Sequence, residues 1–312
     1  MALVWPVKFV CDVARDKPTP FTLRGRDYVL WWADEALHCA PDRCPHRSAT
    51  LSTGTVRDEK LVCGYHSWEF AGDGRCTRIP QVRRQAPFPR ACDLRTLTTT
   101  VSDDIVWVKE GEGPAVGTPT SLLAGLGPND IVSDASMRMK NSYRLQVENA
   151  LDVAHLHTVH DGFQGSASKL SPIRCSWFHE DEAVIGAYFE HDSSTPDMEI
   201  LLLKPGTVVV KVIDKVTKRR MRTNIINVSP ETDTTCNVLF RDVAQYDGIV
   251  YNPAVYRFVN AFIIAAIFKQ DVAVMSGQQK NAALLTYCMP APADRAIVAF
   301  KRWCQVRNLT ES

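Results

Sequence analysis

Cys44-Pro45-His46-Arg47 and Cys63-Gly64-Tyr65-His66-Ser67-Trp68 decide how the rest of the chain reads. Each stretch offers one thiolate and one imidazole, as Cys-x-His and as Cys-x-x-His, with sixteen residues between His46 and Cys63. Both lie in turn-forming sequence: Ala40-Pro41-Asp42-Arg43 leads into the first, and Gly64 follows the cysteine of the second. Ligands converge at loop tips of that kind, whereas core residues do not collect there. A Cys₂His₂ set can hold zinc, but zinc fingers pair like with like, Cys with Cys and then His with His. Here each arm carries one sulfur and one nitrogen. Zinc remains a competing reading, as does a bland one of core cysteines and surface histidines.

The mixed pairs suit a [2Fe–2S] cluster with one iron on two Cys and the other on two His, the Rieske arrangement. Cys44 and Cys63 would hold the first iron, His46 and His66 the second. Neutral imidazole in place of thiolate removes negative charge and raises the potential, so such a cluster can take an electron from a ferredoxin and pass it on.

The rest of the composition is consistent with this. A chain of 312 residues can build two domains with separate cores. Hydrophobic residues at 45% and charged ones at 23% are the balance of a soluble globular protein. Lys+Arg 36 against Asp+Glu 35 leaves a net charge of +1, so no field is set up to recruit nucleic acid or an anionic membrane. Ten cysteines without regular spacing, beside an iron–sulfur motif, point to free thiols in a reducing compartment. That compartment is expected to be the cytoplasm, or a plastid in a phototrophic eukaryote with a transit peptide missing from this chain. Met1–Pro6 lacks the basic head and apolar run of a signal peptide. The most apolar stretch, Phe258–Phe268, is shorter than the ~20 residues of a bilayer span and contains Asn260. It reads as a buried helix, with no transmembrane segment expected.

Residues 1–112 read as an all-β domain, with short β-branched and aromatic runs at Tyr28–Trp32, Leu61–Cys63, Trp68–Phe70 and Ile105–Val108. Turn signals at Arg24-Gly25, Arg57–Lys60 and Gly72–Gly74 separate them, and a small antiparallel sandwich or barrel is expected. Gly111–Pro119 reads as a linker, and residues 120–312 as a second, α+β domain. There the pattern predicts a helix over Leu145–His155 ending near His160, then strands at Ala183–Glu190, Glu199–Leu203, Thr207–Ile213, Arg222–Val228 and Thr235–Arg241. Lys215–Arg220 reads as a solvated hairpin tip. A long helix is expected from about Tyr256 to Leu285, and a last one from near Asp294 with Ala296, Phe300 and Trp303 as its apolar stripe.

The second cluster of chemistry lies in Glu148–His160, where three of the eight histidines fall within six residues. Asp152 and His155, three apart, share one face of a regular helix, and Asn149 extends that face by a turn. His155 and His160 are five apart, or about 140° on such a helix, so both reach one ion only if the helix ends or loosens between them. Asp161-Gly162 suits a terminus there. Two His and one carboxylate form the facial triad of non-haem Fe(II) sites. The carboxylate is expected far along the chain at Asp271, which with Lys269 is the only charge in Phe258–Ser276 and falls in line with Ile264, Ile267, Met275 and Gln278. A buried acid there needs a metal or a base, and a salt bridge to Arg or Lys is the structural alternative. His157 is either a competing ligand in extended backbone, a pocket residue or a helix cap, and His160 is preferred over it. His38, His179 and His191 have no companion at ligand spacing and read as surface or satisfied core residues. Phe262, Ile263, Phe268 and Val208–Val212 are candidates for pocket walls and for core alike.

With both sets of candidate ligands, the chain resembles the Rieske non-haem iron oxygenases over nearly its whole length. The likeness is carried by Cys44–Arg47, by Cys63–Trp68, by Asn149–His160 as Asn-x-x-Asp-x-x-His-x-x-x-x-His, and by Gln270-Asp271. Arg43–Arg47, Gly74–Gln81 and Phe300–Trp303 look closest to the pheophorbide a and chlorophyllide a oxygenases and cyanobacterial saxitoxin-tailoring oxygenases. The resemblance implies a [2Fe–2S] cluster, a mononuclear Fe(II) on His155, His160 and Asp271, and O₂ as co-substrate. Electrons would come from a ferredoxin or flavin reductase, and NAD(P)H would act only through it. It implies a homotrimer in which Asp152 is not a ligand but bridges a neighbouring subunit's cluster histidine to His155. The expected reaction hydroxylates or oxidatively demethylates a small cyclic or aromatic substrate, by monooxygenation rather than dioxygenation. The alternative is an electron-transfer or redox-responsive subunit, as in the chloroplast import-associated relatives. Two features depart from the pattern: Ser67 stands where the family has Gly, and the chain stops soon after Trp303 without the tail of the chlorophyll-catabolic members.

Overall fold

The computed structural model describes residues 1–83, 87–117, 121–124, 126–127, 129–161, 170–181, 184–191, 195–245, 252–281, 288–289, 291–307 and 309. The chain divides into two compact units, Met1–Leu122 and Leu123–Ser312. The expectations placed on Pro119, Gly162, Ala183 and Leu285 fall outside the described residues.

The first unit is built on β-strands, with short 3₁₀ turns at Val10–Asp12, Leu51–Thr53 and Arg90–Cys92. Its strands are β1 (Ala2–Phe9), β2 (Thr19–Leu23), β3 (Arg26–Ala33), β4 (Ala36–Pro41), β5 (Thr55–Arg57), β6 (Lys60–Val62), β7 (Glu69–Phe70), β8 (Cys76–Arg78), β9 (Thr99–Ser102), β10 (Ile105–Glu110) and β11 (Ala115–Val116). They form three small sheets, ordered β11-β1-β10-β9, β2-β3-β4 and β5-β6-β7-β8. Every expected run lies at a strand, and the turn at Arg24-Gly25 is in the left-handed region (φ 51° and 71°). One core gathers Val29, Trp31, Leu51, Leu61 and Phe70 and reaches up to Cys44, Cys63 and Trp68. Each fully buried side chain of this kind contributes on the order of 1.5–3 kcal/mol. The ligand loops therefore stand on packed hydrophobic ground.

The second unit contains β12 (Asp130–Met139), α1 (Tyr143–Leu151), β13 (Ile173–Glu180), β14 (Val184–His191), β15 (Asp197–Leu203), β16 (Thr207–Ile213), β17 (Arg220–Thr232), β18 (Thr235–Gln245), α2 (Pro253–Asn281) and α3 (Arg295–Val306). Its seven strands make one antiparallel sheet, β12-β18-β17-β16-β15-β14-β13. From β13 to β18 the order is a meander, and β12 closes the far edge. There Asp134 is the register partner of Arg241, whose Nε and Nη2 donate to both carboxylate oxygens (2.6 and 2.7 Å). β12 and β13 are absent from the sequence expectation because Asp130–Met139 and Ile173–Glu180 carry charges on a half-buried pattern.

The helices require corrections. α1 ends at Leu151, not near His160, and Asp152 turns to extended backbone (φ −83°, ψ 109°) as its C-cap. His155–His157 form a separate 3₁₀ turn, so Asp152 and His155 do not share a helical face. α2 is by length and composition long and apolar enough to cross a membrane, and only about a third of its most apolar window is buried. It is thus not the wholly buried helix expected. One face buries Asn260, Ile264, Ile267, Phe268, Asp271 and Met275, while Phe258, Phe262 and Gln278 are exposed. In α3 the stripe Ala296, Phe300 and Trp303 is buried as expected. The Lys215–Arg220 tip is tied down: Lys218 Nζ lies 3.2 Å from Asp197 and Arg220 Nη2 donates to Asp130 (2.6 Å).

Candidate metal centres

The first centre sits on two matched loops. The Ser48 amide donates to the Cys44 carbonyl (2.9 Å) and the Ser67 amide to the Cys63 carbonyl (3.0 Å). Both serines are left-handed, at φ 58° and 57°. Glycine takes that conformation freely and an L-residue at roughly 1–2 kcal/mol. Ser67 therefore keeps the loop geometry that glycine would favour. The Asp42 carboxylate pins the first loop by accepting from the Ser52 amide (2.7 Å) and hydroxyl (2.5 Å). A close backbone crossing pins the second. A Cβ on Gly54 would lie 2.0 Å from the Val62 carbonyl oxygen, and one on Gly64 would lie 3.0 Å from the Thr53 carbonyl oxygen. Gly54 is the supporting residue that sequence reading missed; a lone Gly before a strand gave no signal of such an approach.

These supports bring the four side chains together. The Cys44 and Cys63 thiols are buried and in contact with one another, and the amides of His46 and Arg47 donate toward the Cys44 sulfur. Burial pushes the Cys44 thiol up to about 11, with its neighbour Cys63 adding to the effect. A cationic centre is what would hold both as thiolates. The His46 and His66 rings meet edge to face at 4.7 Å, His46 stacks on Trp68 at 4.6 Å, and Gln81 Nε2 donates to the His66 carbonyl (3.0 Å). His46 is exposed, so sulfurs lie inside and imidazoles at the rim. That donor set fits a two-iron cluster, and its exposed imidazole edge is where an electron could pass.

The second centre is assembled from the segment that follows α1 and from α2's middle. One ligand atom each of His155, His160 and Asp271 lies within 4.8 Å of the others. Asp271 Oδ1 is 3.1 Å from His160 Nε2 and 3.5 Å from His155 Nε2. The outer nitrogens are engaged: His155 Nδ1 donates to the main-chain carbonyl of Asp152 (2.7 Å), and His160 Nδ1 to Gln270 Oε1 (3.0 Å). These acceptors fix the proton on Nδ1 and turn each Nε2 lone pair inward, the usual way a protein prepares a metal-binding imidazole. Asp271 Oδ1 is buried and makes no hydrogen bond among the described residues, which fits an ion between these groups and not the salt bridge to Arg or Lys. His160 is lowered by burial but raised more by Asp271 and Gln270, and ends above its ordinary value.

Asp152 is placed somewhat differently from the expectation. Its main-chain carbonyl, not its carboxylate, holds His155; Oδ1 accepts from the Ala154 amide (2.8 Å) and Oδ2 lies 3.6 Å from His155 Nδ1. Burial raises the carboxyl, but the adjacent His155 ring and the nearby amides prevail, leaving Asp152 below the ordinary value. The carboxylate remains ionised and partly exposed.

His157 neither competes for the ion nor lines the pocket: it is buried, bonds to Thr195 Oγ1 (3.3 Å) and meets His191 edge-on at 5.4 Å. His191 corrects the expectation of a satisfied residue, since it is buried and neither ring nitrogen has a hydrogen bond among the described residues. His38 donates to the Ala33 carbonyl, and exposed His179 pairs with Asp181.

A cavity of about 380 Å³ opens beside the three ligands. Met198, Ile200, Val210, Ile226, Phe240 and Phe268 make it largely apolar, and Arg222, Asn224 and Tyr256 also face it. Of the expected wall residues, Phe268, Val210 and Val212 line it; Phe262 is exposed, and Ile263 is not part of the wall.

Comparison with known proteins agrees with this geometry. Residues 4–94 match the Rieske [2Fe-2S] domain, and residues 139–307, more than half of the chain, match the vanillate O-demethylase oxygenase C-terminal domain. The chain belongs to the Rieske oxygenase family, with a C-terminal domain of that type. It carries a Rieske [2Fe–2S] cluster and a mononuclear iron site at His155, His160 and Asp271. Among its relatives, protein TIC 55 of Arabidopsis thaliana is 35% identical over 162 residues, covering 50% of this chain and 30% of that protein. Pheophorbide a oxygenase of Oryza sativa subsp. japonica is 25% identical over 339 residues, covering 96% and 63%. The chain thus spans less than two thirds of the length of either relative. Dicamba monooxygenase bound to dicamba superposes with a TM-score of 0.83 over 98% of both chains; at 18% identity that likeness concerns the fold alone.

Proposed function

We propose that this chain is the oxygenase component of a Rieske system, acting on a small cyclic or aromatic molecule by monooxygenation or oxidative demethylation. Cys44 and Cys63 hold one iron of the cluster and His46 and His66 the other. A separate ferredoxin or flavin reductase supplies the electrons. When bound, the cluster supplies single electrons and the mononuclear iron supplies O₂ activation. The protein's own part is to bind and orient. His155, His160 and Asp271 would hold the ion, and the largely apolar cavity that they help to line excludes bulk water and aligns a substrate. The observation that carries the reading is this coincidence of a complete three-ligand site with a cavity of ligand size.

Asp152 acts between subunits of a homotrimer, its ionised carboxylate linking a neighbour's cluster histidine to His155. Its depressed pKa, its partial exposure and its carboxylate 3.6 Å from the His155 ring support that role. The subgroup of pheophorbide a and chlorophyllide a oxygenases is the family neighbourhood we favour, since one such relative aligns along nearly the whole chain. An electron-transfer subunit would leave the three ligands and their cavity without a use.

The test is oxygen uptake driven by NADH through a surrogate reductase, screened against cyclic and heteroaromatic compounds. Purified protein should hold three irons per chain. Asp271→Ala should abolish turnover while its cluster remains reducible. Two irons in the native protein, or full turnover by that variant, would remove the basis of the proposal.

A further inference from the structure

The cavity ends, away from the metal ligands, in one polar group of residues. Asp242 is fully buried and accepts from five donors. Arg222 gives it Nε and Nη2, Asn224 its Nδ2 (2.9 Å), Asn260 its Nδ2 (3.0 Å) and Tyr256 its hydroxyl (2.8 Å). Arg222 Nη2 also donates to Asn260 Oδ1 (2.8 Å). Nη1 has no hydrogen bond among the described residues, the Arg222 side chain is 29% exposed, and the residue lines the cavity. A largely apolar cavity thus presents one rigid guanidinium edge, held in place by its other two nitrogens and flanked by Asn224 and Tyr256.

The charge balance narrows what that edge can take. Asp242 neutralises Arg222, and the other members are neutral; burial and the adjacent carboxylate push the Tyr256 phenol up to about 12. A ligand carboxylate would leave an uncompensated negative charge in an apolar cavity, which is costly. A neutral acceptor oxygen instead gains a hydrogen bond from a charged donor without adding charge.

Position sets the length. Asn260, in contact with Arg222, and Asp271, a metal ligand, lie eleven residues apart on α2, about 16 Å along the helix axis. After side chains and contact distances are taken off, a substrate touching both ends is on the order of 10 Å long. One aromatic ring is too short.

We propose that Arg222 Nη1 anchors a neutral carbonyl oxygen at the end of an elongated, bicyclic or larger substrate opposite the carbon that reacts. This rests on the oxygenase reading of the cavity and names the substrate class for it. The probes are 2-acetylnaphthalene, 2-ethylnaphthalene and 2-naphthoate, of nearly one shape but with a neutral carbonyl, no oxygen and a carboxylate. Their dissociation constants are measured calorimetrically on the iron- and cluster-loaded enzyme without oxygen. The ketone should bind about tenfold or more tighter than either companion. In the paired variant Arg222→Met/Asp242→Asn, which leaves no charge buried alone, the ketone should fall to within about threefold of the hydrocarbon. The cluster spectrum should be unchanged.

Tightest binding by 2-naphthoate, equal binding of ketone and hydrocarbon, binding of none, or a preference that survives in the variant would each overturn the anchor. The comparison on the native enzyme stands whether or not the variant folds. Turnover is a separate readout. Carbonyl preference in an enzyme that consumes no oxygen supports the anchor and removes the oxygenase reading, while turnover without that preference does the reverse.

Discussion

Replacing Gln270 by Leu isolates a residue that touches neither iron nor substrate. Its Oε1 accepts the His160 Nδ1 proton at 3.0 Å, and the His160 side chain is only 1% exposed, so water is poorly placed to take over. Without that acceptor the neutral ring gains nothing from a proton on Nδ1. The proton moves to Nε2, where Asp271 Oδ1 stands 3.1 Å away, and iron must then displace it. A buried donor left unpaired costs about 1–3 kcal/mol, which is roughly 5- to 150-fold in Fe(II) affinity. Metal sites that lose such a partner typically weaken by about 10- to 100-fold. The assay is anaerobic competition for Fe(II) against a ferrous chelator, with the cluster counted separately from its absorption. Gln270→Glu keeps an acceptor and should bind iron at least as well as the native chain. An affinity for Gln270→Leu within about threefold of native, or a Glu variant as weak as the Leu one, refutes the argument that this hydrogen bond selects the tautomer.

Asp152→Asn keeps the main-chain acceptor of His155, so iron should stay bound, but electron transfer from the cluster should slow by on the order of tenfold or more; stopped-flow reoxidation of the reduced cluster measures it. His191 is held below its ordinary value by burial, then by His157 and by the Lys215 charge. The unfolded chain therefore takes up a proton first as pH falls below about 6.5, and stability drops by up to ~1.4 kcal/mol per pH unit until the folded His191 also titrates. His191→Leu should flatten that part of the melting temperature profile between pH 5 and 8, and an unchanged slope would assign it to another group. Gly54→Ala drives a Cβ to 2.0 Å from a main-chain oxygen that cannot move aside, so purified protein should hold little cluster. Full cluster occupancy would show that the crossing of the two loops is dispensable.

What could be read from residues alone follows from how local the controlling physics is. Cys44, His46, Cys63 and His66 declare themselves because their spacing and turn chemistry are contained in two short loops. Asp271 was legible as a lone acid on an apolar helix face, since burial of a carboxylate demands a partner wherever the helix packs. The helix end at Leu151 was not legible: Asp152-Val153-Ala154 continues the apolar period, and no Gly or Pro interrupts it. The support from Gln270, the crossing at Gly54 and the Arg222–Asp242 group depend on segments tens of residues apart, and only packing brings those together. Phe262 failed as a wall residue for a related reason. An apolar side chain next to a site residue in sequence points wherever the 3.6-residue period sends it, here to the exposed face.

The break after Leu151 performs two tasks that a continuous helix could not combine. On unbroken helix His155 and His160 would diverge by about 140°, and no single ion could meet both. The extended Asp152 and the 3₁₀ turn at His155–His157 fold the chain back so that both Nε2 atoms face Asp271. The same change of conformation frees the Asp152 carbonyl from the helical ladder to accept the His155 Nδ1 proton. Its side chain, no longer needed for that, is left ionised and partly exposed. A regular helix would have required the carboxylate to orient His155 and would have left it unavailable for the inter-subunit link proposed above. Separating the two duties between the main chain and the side chain of one residue is what allows Asp152 to hold a ligand and still face outward.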